Sequence, residues 1–102
     1  MKYLATVRPR EGVEIPDPVS LARQSRAYFA DYMAQGVIEC MYQFADGEGS
    51  IAILDVESEE AAWALINANP SHSYAYHEVK ALVDGPEAFD RFIAVMEQAV
   101  PG

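Results

Sequence analysis

The chain has 102 residues, 51% of them apolar and 23% charged, with a formal net charge of −9. That length supports one domain with a modest core, and that composition excludes a disordered chain. Sixteen acidic side chains against seven basic ones repel phosphate backbones, so no nucleic-acid partner is expected.

The same balance disfavours a strongly anionic substrate unless the few arginines converge on it. A single cysteine, Cys40, forms no internal disulfide. The opening MKYLATVRP lacks an apolar run of signal-peptide length, and nothing approaches a membrane span. The expectation is a soluble, cytoplasmic domain with no membrane partner.

In chain order, residues 2–8 (KYLATVR) are short and β-rich and stop at Pro9, which predicts a strand. Asp17-Pro18 then reads as an N-cap with proline in the first helical turn. The helix that follows carries Leu21, Ser25, Tyr28, Phe29, Tyr32 and Met33 on one face and ends at Gly36. Residues 37–44 and 50–56 predict strands joined by a hairpin at Asp46-Gly47.

Ser58 caps a second helix, whose first turn holds Glu59 and Glu60. It runs toward Pro70. A fourth strand covers about residues 73–83, and Gly85-Pro86 opens a third helix with Phe89, Phe92, Ile93 and Met96 on one side. The order βαββαβ plus a C-terminal helix is the ferredoxin-like α+β arrangement, a four-stranded antiparallel sheet with two helices on one face, in a single domain.

Both parities of the third strand are apolar: Ile51 and Ile53 point one way, Ala52, Leu54 and Val56 the other. A sheet with one wet face alternates apolar and polar residues. Two helices cover one face only. The third helix can cover part of the other, but a second copy of the sheet covers it more economically. A homodimer packed sheet to sheet is therefore expected.

The stretch from Gly36 to Leu82 resembles the muconolactone isomerase family. The shared elements are Gly36 before the second strand, Asp55-Val56 with Ser58 and Glu60, then Pro70, Tyr74, Glu78-Val79 and Leu82, and the opening MKYLATVRP. The resemblance implies a dimeric α/β barrel, with larger homo-oligomers possible, and cofactor-free chemistry on small hydrophobic molecules. Relatives of that fold include isomerases, cyclases, cofactor-independent monooxygenases and plain ligand binders. The second strand departs from the family pattern. Glu39, Cys40, Met41, Tyr42 and Gln43 stand where basic and aromatic residues are usual. That change points to a neutral, aromatic or polyene-like metabolite of secondary metabolism rather than a carboxylate-bearing lactone.

Candidate site residues follow. His77 shares its strand face with Ala75, Val79, Ala81 and Val83. It is read as either a structural histidine or a general acid or base, imidazole being the side chain that ordinarily titrates near neutrality. Glu39, grouped by parity with Met41 and Gln43, is a candidate base if that side is enclosed and an anti-aggregation edge charge if it is not. Tyr28 and Tyr32, one helical turn apart, are core aromatics or substrate-positioning hydroxyls. Met41, Tyr42 and His72 complete the candidate substrate contacts.

His72 and His77 are too poorly spaced to chelate one ion, so no metal is expected. Cys40 beside Glu39 is a poor nucleophile. The functional expectation is a cofactor-independent isomerase or cyclase, shuttling protons in a pocket between the first helix and the sheet. A non-catalytic small-ligand-binding or accessory protein, or a cofactor-free monooxygenase, are the alternatives.

Overall fold

Residues 1–99 are described by a computed structural model. Strand β1 (Lys2–Pro9) leads by a loop to helix α1 (Pro18–Ala34). The Asp17 carboxylate accepts from the Ser20 amide at 3.0 Å, satisfying a donor that the helix itself leaves open. At the far end Gly36, at φ 76°, donates to Met33, while the Val37 amide donates to the Tyr32 carbonyl. This paired closure lets the chain reverse straight into strand β2 (Ile38–Gln43).

Strand β3 (Ser50–Asp55) follows the turn at Asp46-Gly47, where Gly47 takes a positive φ of 78° and Asp46 accepts from the Glu48 amide. Ser58 accepts from the Ala61 amide at 3.1 Å and opens helix α2 (Glu59–Asn67). A single 3-10 turn (His72–Tyr74) then feeds strand β4 (Ala75–Leu82), and helix α3 (Gly85–Ala99) follows. The fourth strand thus begins later than its sequence pattern suggests, because residues 72–74 tighten into that turn.

The sheet order is β2-β3-β1-β4 and every pair is antiparallel. Register fixes the two faces. Tyr3, Ala5 and Val7 of β1 stand opposite Leu54, Ala52 and Ser50 on one side and Ala81, Val79 and His77 on the other. That face meets α1 and α2, and the core forms there from Tyr3, Ala5, Ile38, Leu54, Leu65 and Ile66. Tyr28, Phe29, Tyr32 and Trp63 pack around it.

The opposite face carries Leu4, Thr6, Ile51 and Ile53, half-buried only by their neighbours, together with exposed Tyr42 and Tyr76. Helix α3 does not cover it. No residue of α3 is buried, and Phe89, Phe92, Ile93 and Met96 stand in solvent. The Cα radius of gyration is 17.6 Å and the long axis 66 Å. A packed chain of this length has a radius near ~13 Å, so the excess reflects a helix held away from its own body. No helix among the described residues is long and apolar enough to cross a membrane.

Candidate functional site

Between α1 and the inner sheet face lies an open cleft of about 510 Å3. Ile15, Leu21, Phe29 and Met41 give it an apolar wall, and Ser25, Arg26, Gln43, Ser50 and Asn69 interrupt that wall with polar groups. The apolar side chains come from the period of α1 and the parity of β2. The polar ones come from α1 (Ser25, Arg26), the end of β2 (Gln43), the start of β3 (Ser50) and the loop after α2 (Asn69).

Asn69 is 7% exposed, the one buried polar side chain of the described core. Its Oδ1 accepts from the Ser71 amide at 3.0 Å and from the Ser71 hydroxyl at 2.9 Å, which pins the side chain. Ser25 presents a buried hydroxyl oxygen with no hydrogen-bond partner. A buried hydroxyl without a partner is costly, and such groups gather where a ligand or water completes the set.

A narrower chamber of about 20 Å3, lined by Tyr28, Ile38 and His77, shares Val7, Phe29, Ser50 and Asn69 with the cleft. It has room for about one water molecule. His77 Nε2 lies 3.0 Å from the His72 carbonyl oxygen, while Nδ1 is buried with no partner. A carbonyl oxygen only accepts, so Nε2 donates this bond, and in the neutral ring the lone pair then lies on Nδ1. Among the described residues, Ser25 Oγ and His77 Nδ1 are the two buried side-chain polar atoms without a partner. They line adjoining spaces.

The other sequence candidates divide between this cleft and elsewhere. Met41 lines the cleft wall. Tyr28 contributes its ring to the inner chamber, but its hydroxyl donates to the Leu65 carbonyl. Burial, reinforced by neighbouring Tyr32, pushes the Tyr28 phenol well above the ordinary tyrosine range. Tyr32 stacks edge-on against Tyr28 with ring centroids 4.9 Å apart and packs on the core. Met33, expected on the same helical face, is 43% exposed.

Glu39 is on the other side of the sheet. A bulge between Ile38 and Cys40 breaks the strand's alternation, so Glu39 does not share a face with Met41 and Gln43. Its carboxylate instead meets Lys2 Nζ at 2.6 Å and holds that ammonium's pKa above the ordinary lysine range. Tyr42 is 65% exposed on the same uncovered face. His72 lies in the 3-10 turn, beyond the His77 ring. Ser25 and Asn69 were not singled out as ligands from the sequence: Ser25 was visible only as a small polar residue on an apolar helical stripe. Among the described residues no group of three or more His, Cys, Asp and Glu is placed to hold a metal ion.

Solved structures share this architecture, among them the two that follow. Muconolactone isomerase superposes with a TM-score of 0.74 at 18% identity, over 84% of this chain and 92% of that one. The chain has the muconolactone isomerase-like ferredoxin fold. A 5-chloro-2-hydroxyhydroquinone dehydrochlorinase from Burkholderia phenoliruptrix, solved with 2,5-dihydroxybenzoquinone, superposes with a TM-score of 0.57 at 18% identity, over 85% and 98%. No protein-family profile and no curated protein sequence matches the chain. The likeness covers nearly the whole of both structures, and at this identity it establishes the fold.

Proposed function

We propose that this protein is a cofactor-independent isomerase or cyclase acting on a small hydrophobic carbonyl compound in the cleft between α1 and the sheet. The observation that carries the reading is the pair of partnerless buried atoms, Ser25 Oγ and His77 Nδ1, lining adjoining spaces. In this reading the Nδ1 lone pair takes a proton from a carbon next to the carbonyl. The Ser25 hydroxyl and the Asn69 amide donate to the resulting enolate oxygen. The imidazolium, whose proton exchanges with solvent, then gives a proton to a different carbon, and His77 ends as it began.

Apolar walls keep water from competing for those hydrogen bonds. Both fold neighbours act on or bind small ring compounds by their names, which agrees with a cleft of this size. Incubation with cyclic ketones and lactones, which exchange slowly without a catalyst, in deuterated water, followed by NMR, tests the step. Wild-type protein should catalyse deuterium incorporation, and His77→Gln should slow it about 100-fold or more. Equal rates in the two proteins contradict the assignment.

One observation favours a second reading, a ligand carrier without turnover. The inner chamber holds about 20 Å3, so substrate reaches Nδ1 only if Phe29 or Asn69 yields. Saturable binding of the same probes without exchange in wild-type protein selects that reading.

We propose further that the working form is a homodimer. Leu4, Ile51 and Ile53 on the uncovered sheet and the apolar stripe of α3 are two unpartnered surfaces on one chain. A second copy offers each a partner.

A further inference from the structure

Where the 3-10 turn enters β4 is a separate cavity of about 490 Å3. It is lined by Arg10, Trp63, His72, Ser73, Tyr76 and His77. Those residues include both histidines and the sole tryptophan of the chain, and no carboxylate is among them. In a protein of net charge −9 this wall joins one guanidinium, two imidazoles and an indole without an acidic neighbour in the lining.

Arg10 is held in place. Its guanidinium carbon stands 4.7 Å from the centre of the Tyr76 ring, and its Nε donates to the Ala75 carbonyl at 3.4 Å. The Arg10 amide also donates to the Tyr74 carbonyl at 3.0 Å, which fixes the backbone beneath it. Among the described residues none of the five arginines forms an ion pair; Arg10 differs from the others in being stacked on an aromatic ring. A guanidinium stacked on one ring and tethered through Nε keeps its terminal N–H groups for a planar oxyanion.

We infer that this outer cavity binds a planar aromatic carboxylate. The carboxylate takes the terminal N–H groups of Arg10 with the His72 ring as second donor. The aromatic ring of the ligand lies along the indole of Trp63. Both recognition elements are needed: the guanidinium selects the charge and the indole selects the flat apolar body. The site is distinct from the α1 cleft and shares only His77 with the inner chamber.

Trp63 is its own reporter. Titration of the full chain with benzoate, followed by tryptophan emission, should give a saturable change. Benzamide, which lacks the charge, and acetate, which lacks the ring, should each bind at least about tenfold more weakly. Arg10→Gln should weaken benzoate by about tenfold or more while leaving the far-ultraviolet circular dichroism unchanged, because Arg10 is exposed. Should Arg10→Gln perturb folding, Arg10→Lys supplies the second variant. It keeps the charge, loses the fork, and should still weaken benzoate measurably. The assignment is overturned if benzoate produces no saturable change, if benzamide binds as well as benzoate, or if both Arg10 variants bind benzoate as wild type does.

Discussion

Lys2 and Glu39 meet on the uncovered face of the sheet, Nζ to Oε1 at 2.6 Å, with the whole sheet between them and the cleft. The bulge at Ile38/Cys40 puts Glu39 there, and it removes a carboxylate from the neighbourhood of Met41. Glu39→Gln is therefore expected to change deuterium exchange less than about twofold, well below the factor of about 100 that loss of a proton-transferring group brings. A loss comparable to that of His77→Gln would return Glu39 to the chemistry. NMR exchange rates on the two variants decide it.

Ser25→Ala should separate stability from function. Its hydroxyl is buried without a partner, so removal deletes an unsatisfied group and should leave stability unchanged or raise it by up to about 1 kcal/mol. Ligand affinity in the cleft should fall about five- to tenfold as one hydrogen bond is lost. Thermal melts and titration of the same preparation read both effects.

Tyr28→Phe should cost about 1 kcal/mol, because the Leu65 carbonyl loses its donor. It should also alter the alkaline limb of stability. Burial raises the Tyr28 pKa in the folded protein, so the unfolded chain ionises first. The stabilisation is complete below the ordinary tyrosine value, near ~10, and drains away as pH rises from there toward the folded value. Melting temperatures across the alkaline range should fall more steeply for wild type than for Tyr28→Phe.

Ile53→Lys places a charge in the middle of the uncovered face, opposite Leu4 and Cys40. If that face joins two copies, the dimer should weaken by at least about 30-fold, equivalent to about 2 kcal/mol. Each protomer should keep its fold, since Ile53 points away from the core. Sedimentation velocity at micromolar concentration checks this: wild type should run as a dimer and the variant as a lighter species.

Much of the fold is legible in the sequence because its punctuation is local. Asp17-Pro18, Gly36, Asp46-Gly47 and Ser58 each act through hydrogen bonds to residues two to four positions away. The absence of polar alternation in β3 likewise reveals a second apolar face. The bulge at Glu39 is not legible, because it depends on how β2 meets β3 across the sheet and leaves no signature in either strand alone. Nor does amphipathicity reveal where α3 goes: Phe89, Phe92 and Ile93 mark an apolar stripe but not its partner.

The candidate site divides in the same way. His77 is visible as a lone imidazole on an apolar strand face, and Met41 as an apolar neighbour. The roles of Ser25 and Asn69 come only from three elements meeting, so their chemistry is silent until the chain is folded. The Tyr28 hydroxyl, a candidate from sequence, is claimed by a backbone carbonyl of α2.

The central claim is that His77 holds a free lone pair on Nδ1 beside the cleft. A long-range 1H–15N correlation spectrum of the labelled protein at neutral pH tests it most directly. The account predicts a proton on Nε2 and an Nδ1 signal that shifts when a cleft ligand is added. A ring protonated on Nδ1, or an Nδ1 signal indifferent to ligands that bind the cleft, contradicts it.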